Sequence, residues 1–171
     1  WVIAIPIGVL AAVRQDSWMD YGLRGISIIG LAMPSFFVAL LVILLLSRAF
    51  NWLPPIGFEN LWDEPMVSIQ QLIFPAVALG CSVNGTLLRI TRTQLREVMR
   101  EDYVRTARAK GLAEHVVIYR HAVRNALLPV VTVAGAQIGF IFSGTIVIEN
   151  IFTLPGIGRG LVQAMFVSDL P

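Results

Sequence analysis

Several groups of residues have types and spacings that could do chemistry. "GCSVNG" at 80–85 sets Ser82 among glycines, as an intramembrane nucleophile would require. G-x-S-x-G is not completed, however, and His115 and His121 both lie outside the uncharged stretches, so no base is within reach. The two histidines stand six apart with no carboxylate–His pattern and read as surface residues, not metal ligands. "GIGRG" at 156–160 has the glycines of a phosphate loop without a following Lys-Ser/Thr, so it reads as a turn after Pro155. G-x-x-x-x-G-K-[ST] does not occur, so ATP binding through a P-loop is not expected. The single cysteine, Cys81, excludes an internal disulfide and a Cys-rich metal site. No catalytic residue, metal ligand or cofactor is therefore assigned. What remains is charge: Arg89, Arg92, Arg96 and Arg100 recur at intervals of three, four and four and form one helical stripe. Lipid head groups are the default partner for Arg89 and Arg92.

The elements that hold these residues are apolar. Of 171 residues, 56% are hydrophobic and 14% charged, with a mean hydropathy of +0.74. Soluble domains average about 25% charged, and this chain lacks the charge to coat a water-facing surface. It reads as an all-α, polytopic helical membrane protein. A net charge of +2 reflects loop bias, and the basic residues lack the interleaved aromatics of a single-strand nucleic-acid binder, so no nucleic-acid partner is expected.

Three charge-free intervals, 25–47, 65–88 and 125–148, are each long enough for a helix of about 20 apolar residues to cross the hydrocarbon core. Spans are expected at 25–47, 70–88 and 126–148, with the run 1–13 as the tail of a further one. The chain thus reads as an internal piece of a longer protein, with about three complete spans and one partial. Segments 14–24 and 89–124 must share one side, and they hold eleven of the thirteen Lys and Arg. The positive-inside rule makes that side cytoplasmic, leaving 149–171 external. Within the spans, Gly135, Gly139 and Ser143 lie four apart on one face, a spacing that lets helices approach closely. Asn84, Gln137, Ser143 and Thr145 are candidate pathway residues because they are polar there. For Gln137, helix-packing glue is at least as good a reading.

The segment 89–124 is the polar exception. Glu97 and Glu101 are spaced to support Arg100 and Arg105 on a continued helix. Asp102 can cap a short helix ending at Lys110 and Gly111, with Gly111 at a left-handed stop. An amphipathic helix is expected over 114–124, with Val116, Tyr119, Val123 and Leu127 as its apolar stripe. Such a helix either lies on lipid or docks into a groove on a partner, and the residues alone leave the two level.

"DYVRTARAKGL" and "RHAVRNALLPVV" resemble the cytoplasmic EAA loop of membrane subunits of binding-protein-dependent ABC importers, closest to the dipeptide/oligopeptide permease branch. "VIENIFTLPGIGRGL" at 147–161 and "WLPPIGF" at 52–58 resemble other segments of that branch. The name-giving Glu-Ala-Ala corresponds here to Arg105, Thr106 and Ala107, one letter of three being kept. The resemblance implies the ABC importer permease fold with six spans, the first and sixth lying outside this chain. It implies that 89–124 is a coupling loop seated in a cleft of a separate ATPase, with Arg105, Thr106, Ala107, Lys110, Gly111, Leu112, Glu114, His115, Tyr119, Arg120 and Arg124 as its candidate contacts. Implied partners are a second, homologous permease subunit, two cytoplasmic ATPase subunits, an extracytoplasmic substrate-binding protein and the lipid bilayer. The implied location is a bacterial or archaeal plasma membrane. The implied role is half of a translocation pathway for peptides or similar small solutes, with no enzymatic activity in this chain. A secondary transporter or channel is the alternative, but it would normally show charged or coupling-ion groups at mid-membrane.

Overall fold

Prolines mark one helix start and one break, while Pro75 and Pro129 stand inside continuous helices. In the computed structural model, residues 1–53, 55 and 59–167 are described, with only the backbone of 143–145 and 167. Helix α1 covers Ala4–Val13 and α2 covers Trp18–Ala32. The expected continuous span 25–47 is instead divided, because α2 stops before Met33 and Pro34 and α3 begins anew at Ser35–Phe50. Pro34 has no N–H to donate, and its ring would clash with the carbonyl one turn earlier. Pro34 sits in the extended region (φ −60°, ψ 143°) as the N-cap of α3. Asn51 ends α3 in the left-handed conformation (φ 48°), which Asn tolerates.

Helix α4, Pro65–Val98, starts earlier than expected because Pro65 suits the first helical position, where no N–H is needed. Its 34 residues extend about 50 Å at 1.5 Å per residue, well beyond a hydrocarbon core of about 30 Å. The arginine stripe lies on this overhang. Helix α5 is Asp102–Ala109 and α6 is Glu114–Val116, which passes into a π-helix over Val117–Val123 and then into α7, Arg124–Ile151. Helix α8 covers Ile157–Val167. By length and composition, Pro65–Val98 and Glu114–Phe142 can each cross a membrane, and α2 with α3 makes a third span if the pair is counted as one. No strand occurs among the described residues.

The chain forms two compact units. The first, Trp1–Ala32 with Val83–Gln137, has two apolar clusters. One gathers Val9, Ala12, Leu95, Val104, Ala107, Val117, Ala122 and Ala126; the other joins Ala4, Leu87, Val130 and Ala134. Here α4 is approached closely at two glycines. A Cβ on Gly85 would lie 2.9 Å from the Ser27 carbonyl, and Ser27 Oγ donates to the Gly85 carbonyl at 2.8 Å. A Cβ on Gly8 would meet Thr91 Cβ at 2.7 Å. The face expected to pack closely, Gly135 and Gly139, meets nothing within 4 Å. Small residues permit close approach but do not summon a neighbour, and α1 and α2 cross α4 elsewhere.

The second unit, Met33–Ser82 with Ile138–Pro171, packs Ala39, Ala78, Ile148 and Phe152 together. Trp52 lies against Phe74 with ring centroids 5.3 Å apart. Glu149 folds back on the turn before α8 and accepts from the Arg159 N–H at 2.8 Å, a carboxylate at a helix start where the dipole favours it. An added Cβ at Gly158 would meet Ile146, side chain and backbone, whereas one at Gly156 would meet only the flexible carboxylate end of Glu149. Of "GIGRG", only Gly156 precedes the helix; 157–160 are the first residues of α8 and not the turn expected after Pro155. In "WLPPIGF", positions 54 and 56–58 lie outside the described residues.

Candidate functional site

The polar segment between α4 and α7 is built around one glycine. Helix α5 starts at Asp102 with Glu101, not Asp102, at the N-cap position, and no side chain caps it. Asp102 sits in the first turn instead, where its charge suits the helix dipole. Its carboxylate pairs with Arg105 at 3.5 Å, so Asp102 replaces Glu101 as the partner of Arg105. At the other end Lys110 is the C-cap and Gly111 has φ +77°. Gly111 N–H donates to the Arg108 carbonyl at 2.9 Å and Leu112 N–H to the Ala107 carbonyl at 3.4 Å. Those two bonds make a Schellman stop, which needs the left-handed residue that the sequence supplies as glycine.

The turn is held from outside. Arg108 donates Nη2 to Glu114 Oε1 at 2.8 Å and Nε to Oε2 at 3.2 Å, tying the end of α5 to the start of α6. Arg108 beside it holds the Glu114 carboxyl below the usual carboxylate range. Asn125 Nδ2 donates to Tyr103 Oη at 2.8 Å, joining α5 to the start of α7. Both links were missed in the sequence because their partners lie across a turn or 22 residues apart.

The inner face of the segment is the expected one only in part: Val123 and Leu127 pack against the apolar clusters, Val116 is half-buried, and Tyr119 is exposed. The anticipated stripe of Val116, Tyr119, Val123 and Leu127 assumed 3.6 residues per turn. In the π-helix, with its i→i+5 bonding, Val117, Ile118 and Ala122 are the buried residues and Tyr119 is 62% exposed. Ala107 also points inward, into the cluster with Val104 and Leu95. Arg105, Thr106, Lys110, Gly111, Leu112, Glu114, His115, Tyr119, Arg120 and Arg124 are exposed. Eleven sequence candidates thus fall on one continuous segment, ten of them outward-facing.

The pathway candidates are placed unevenly. Gln137, half-buried, donates Nε2 to the Val83 carbonyl at 3.3 Å and so ties α7 to α4 next to Asn84, as a packing residue would. Asn84 is half-buried on α4. The side chains of Ser143 and Thr145 lie outside the described residues.

A further group was not anticipated. Asp20 at the start of α2 has no exposed surface, and Arg92 grips it with Nε on Oδ1 at 2.6 Å and Nη2 on Oδ2 at 2.7 Å. Arg24 Nη2 adds a bond to Oδ2 at 2.6 Å, and the Asp16 N–H another at 3.1 Å. Arg92 is therefore paired inside the chain and not given to head groups. The hydrogen bonds from Arg92, then Arg24, hold the Asp20 carboxyl far below the usual carboxylate range against the opposing effect of burial. A lone Asp ahead of an apolar run, 72 residues from its partner, gives no local signal of this pairing.

Helices of membrane length are joined here by a folded polar segment, 102–124, that packs on the charged end of α4. The sequence model of the family described as binding-protein-dependent transport system inner membrane component matches residues 4–171. The chain belongs to this family. A putative peptide transport system permease protein of Brucella suis biovar 1 (strain 1330) is 44% identical over 169 residues, covering 99% of this chain and 54% of the relative. The oligopeptide transport system permease protein AppB of Bacillus subtilis (strain 168) is 44% identical over 172 residues, with 99% and 54% covered. The glutathione transport system permease protein GsiC of Escherichia coli (strain K12) is 38% identical over 170 residues, with 99% and 53% covered. This permease-family chain spans about half the length of these curated relatives. Its helical composition and apolar spans are those of an integral membrane protein.

Proposed function

We propose that this chain is part of a transmembrane subunit of an ATP-driven importer in a bacterial or archaeal plasma membrane. It would form half of the pathway for short peptides or similar small solutes. The second half would come from a homologous permease subunit, ATP hydrolysis from two separate cytoplasmic subunits, and capture from an external binding protein. Its peptide- and glutathione-transport relatives support the solute class.

The observation that carries the reading is the two-faced segment 102–124. Its inner face is anchored in one apolar cluster with Leu95 of α4 and Val9 and Ala12 of α1. Its outer face offers Lys110, Glu114, His115, Tyr119 and Arg120 to a partner. A push on the outer face reaches α1, α4 and α7 through packed side chains, as rigid-body transmission requires. A helix lying on lipid would instead turn its apolar side chains outward.

The test is assembly. Full-length subunit purified alone should hydrolyse no ATP, and cysteines at His115 or Tyr119 should cross-link to an ATPase subunit in the assembled complex. Contact with lipid alone at both positions in that complex would remove the coupling role.

A further inference from the structure

The buried ion pair of Asp20 with Arg92 has no part in the outward face of the coupling segment, yet four hydrogen bonds converge on the Asp20 carboxylate. A carboxylate without solvent contact is costly unless its oxygens are paired, and here each oxygen is taken by a guanidinium. Apolar residues of similar volume would stabilise the same contact as well or better, so such a pair is weak support for stability as such. What a fork on a carboxylate does fix is geometry, because two parallel bonds define an angle as well as a distance.

The location tells which geometry is fixed. Arg92 precedes Leu95, the α4 residue that anchors the coupling segment, by three positions on the same helix. Asp20 lies at the entry to α2, directly after the turn from α1, whose Val9 and Ala12 share that cluster. Further along, α2 meets α4 where Ser27 Oγ donates to the Gly85 carbonyl at 2.8 Å and Leu31 lies beside Gly85. The fork adds a charged fastening with a defined angle at the end nearest the coupling segment. Arg24, 36% exposed at its side chain, braces one oxygen and Asp16 from the outer side.

We infer that Asp20 is a positioning residue for energy coupling: gripped by Arg92, it makes the start of α2 move with α4 and the coupling segment as one body. This inference rests on the proposed function. Asp20→Asn removes the charge while keeping the shape, Arg92→Lys keeps the charge but loses the fork, and Arg24→Gln removes only the outer brace. The complete importer with its binding protein is reconstituted in proteoliposomes and given an isotopically labelled pool of short peptides. Uptake per ATP hydrolysed is read beside complex assembly.

Expected are assembled complexes in all cases, with uptake per ATP lowered about tenfold in Asp20→Asn and Arg92→Lys and within about twofold of wild type in Arg24→Gln. Asp20→Asn with wild-type uptake per ATP overturns the inference. So does failure of both Asp20→Asn and Arg92→Lys to assemble, since the pair is then only a structural staple. A wild-type importer without ATP-dependent uptake removes the proposed function and this inference with it; a coupled wild type beside an equally coupled Asp20→Asn removes the inference alone.

Discussion

Gly111 has a φ of +77° and open space where a Cβ would stand, so backbone strain alone sets the cost of replacing it. A β-branched residue in the left-handed region costs about 1–3 kcal/mol, whereas Asn visits that region routinely. Gly111→Val should insert and assemble with its membrane partner but lose most ATP-driven transport; Gly111→Asn should keep most of it. Wild-type transport by Gly111→Val would make this an ordinary loop glycine. Gly85 is the opposite case, with ordinary φ and no room. In the isolated subunit Gly85→Ala should destabilise by about 1–3 kcal/mol as an overpacked contact, and Gly135→Ala by no more than about 0.5, read as thermal midpoints in detergent. Equal costs would mean that the Gly135 face is packed after all. Gly111 was legible in the sequence because a basic turn followed by glycine is a local signal. Gly85 was not distinguishable from Gly135, since nothing local says which glycine another helix will cross.

Elements were legible where one local rule dominates and obscure where two compete. The long apolar intervals gave α4 and α7, and the Arg and Glu spacing carried α4 past the end of its span. Pro34 stands in the middle of the uncharged interval 25–47, yet whether a proline kinks or breaks a helix depends on what packs around it. Around the π-helix the 3.6 spacing holds for Val123 and Leu127, which pack against the apolar clusters, and fails for Tyr119, because i→i+5 bonding turns Val117, Ile118 and Ala122 inward instead. The join of α2 to α4 was hidden by 72 intervening residues. Its pH dependence follows from sign. The folded-state carboxyl of Asp20 is lowered, chiefly by Arg92, so its stabilisation is fully present above the unfolded value of about 3.9 and is lost only as pH falls through the lower folded value. Asp20→Asn should cost about 3 kcal/mol, the low end for a broken buried pair because the amide oxygen still accepts. Its thermal midpoint should trail wild type by a constant interval from about pH 5 to 8, and the gap should close only in stronger acid. A gap that has already closed at pH 5 would mean Asp20 is not held as described. Glu114 has the same sign through Arg108, but both side chains are substantially exposed and solvent screening leaves little to measure.

At the scale of the whole molecule, coupling to an ATPase depends on which side each polar segment faces. Of the thirteen Lys and Arg, eleven lie in 14–24 and 89–124, and the intervals assigned to the other side hold only Arg48 and Arg159. Translocating a basic loop is disfavoured, so we propose that the side with the excess stays in the cytoplasm. The Asp20 pair and the 102–124 segment both pack on the charged end of α4 within one compact unit, as a shared side requires. The loop before α4 carries Glu59, Asp63 and Glu64 and packs through Ser68 Oγ, which donates to the Glu59 carbonyl at 2.6 Å. Asn60 and Glu114 are both exposed and lie beyond opposite ends of the uncharged part of α4. In a Cys81→Ser background, a cysteine at Asn60 should react with an impermeant thiol reagent added to intact cells. One at Glu114 should stay unlabelled until the membrane is opened, and then react fully. Because both sites are exposed, a difference in intact cells reports the bilayer and not burial. Labelling of Glu114→Cys before permeabilisation would invert the topology, place 102–124 outside, and leave no ATPase for it to meet.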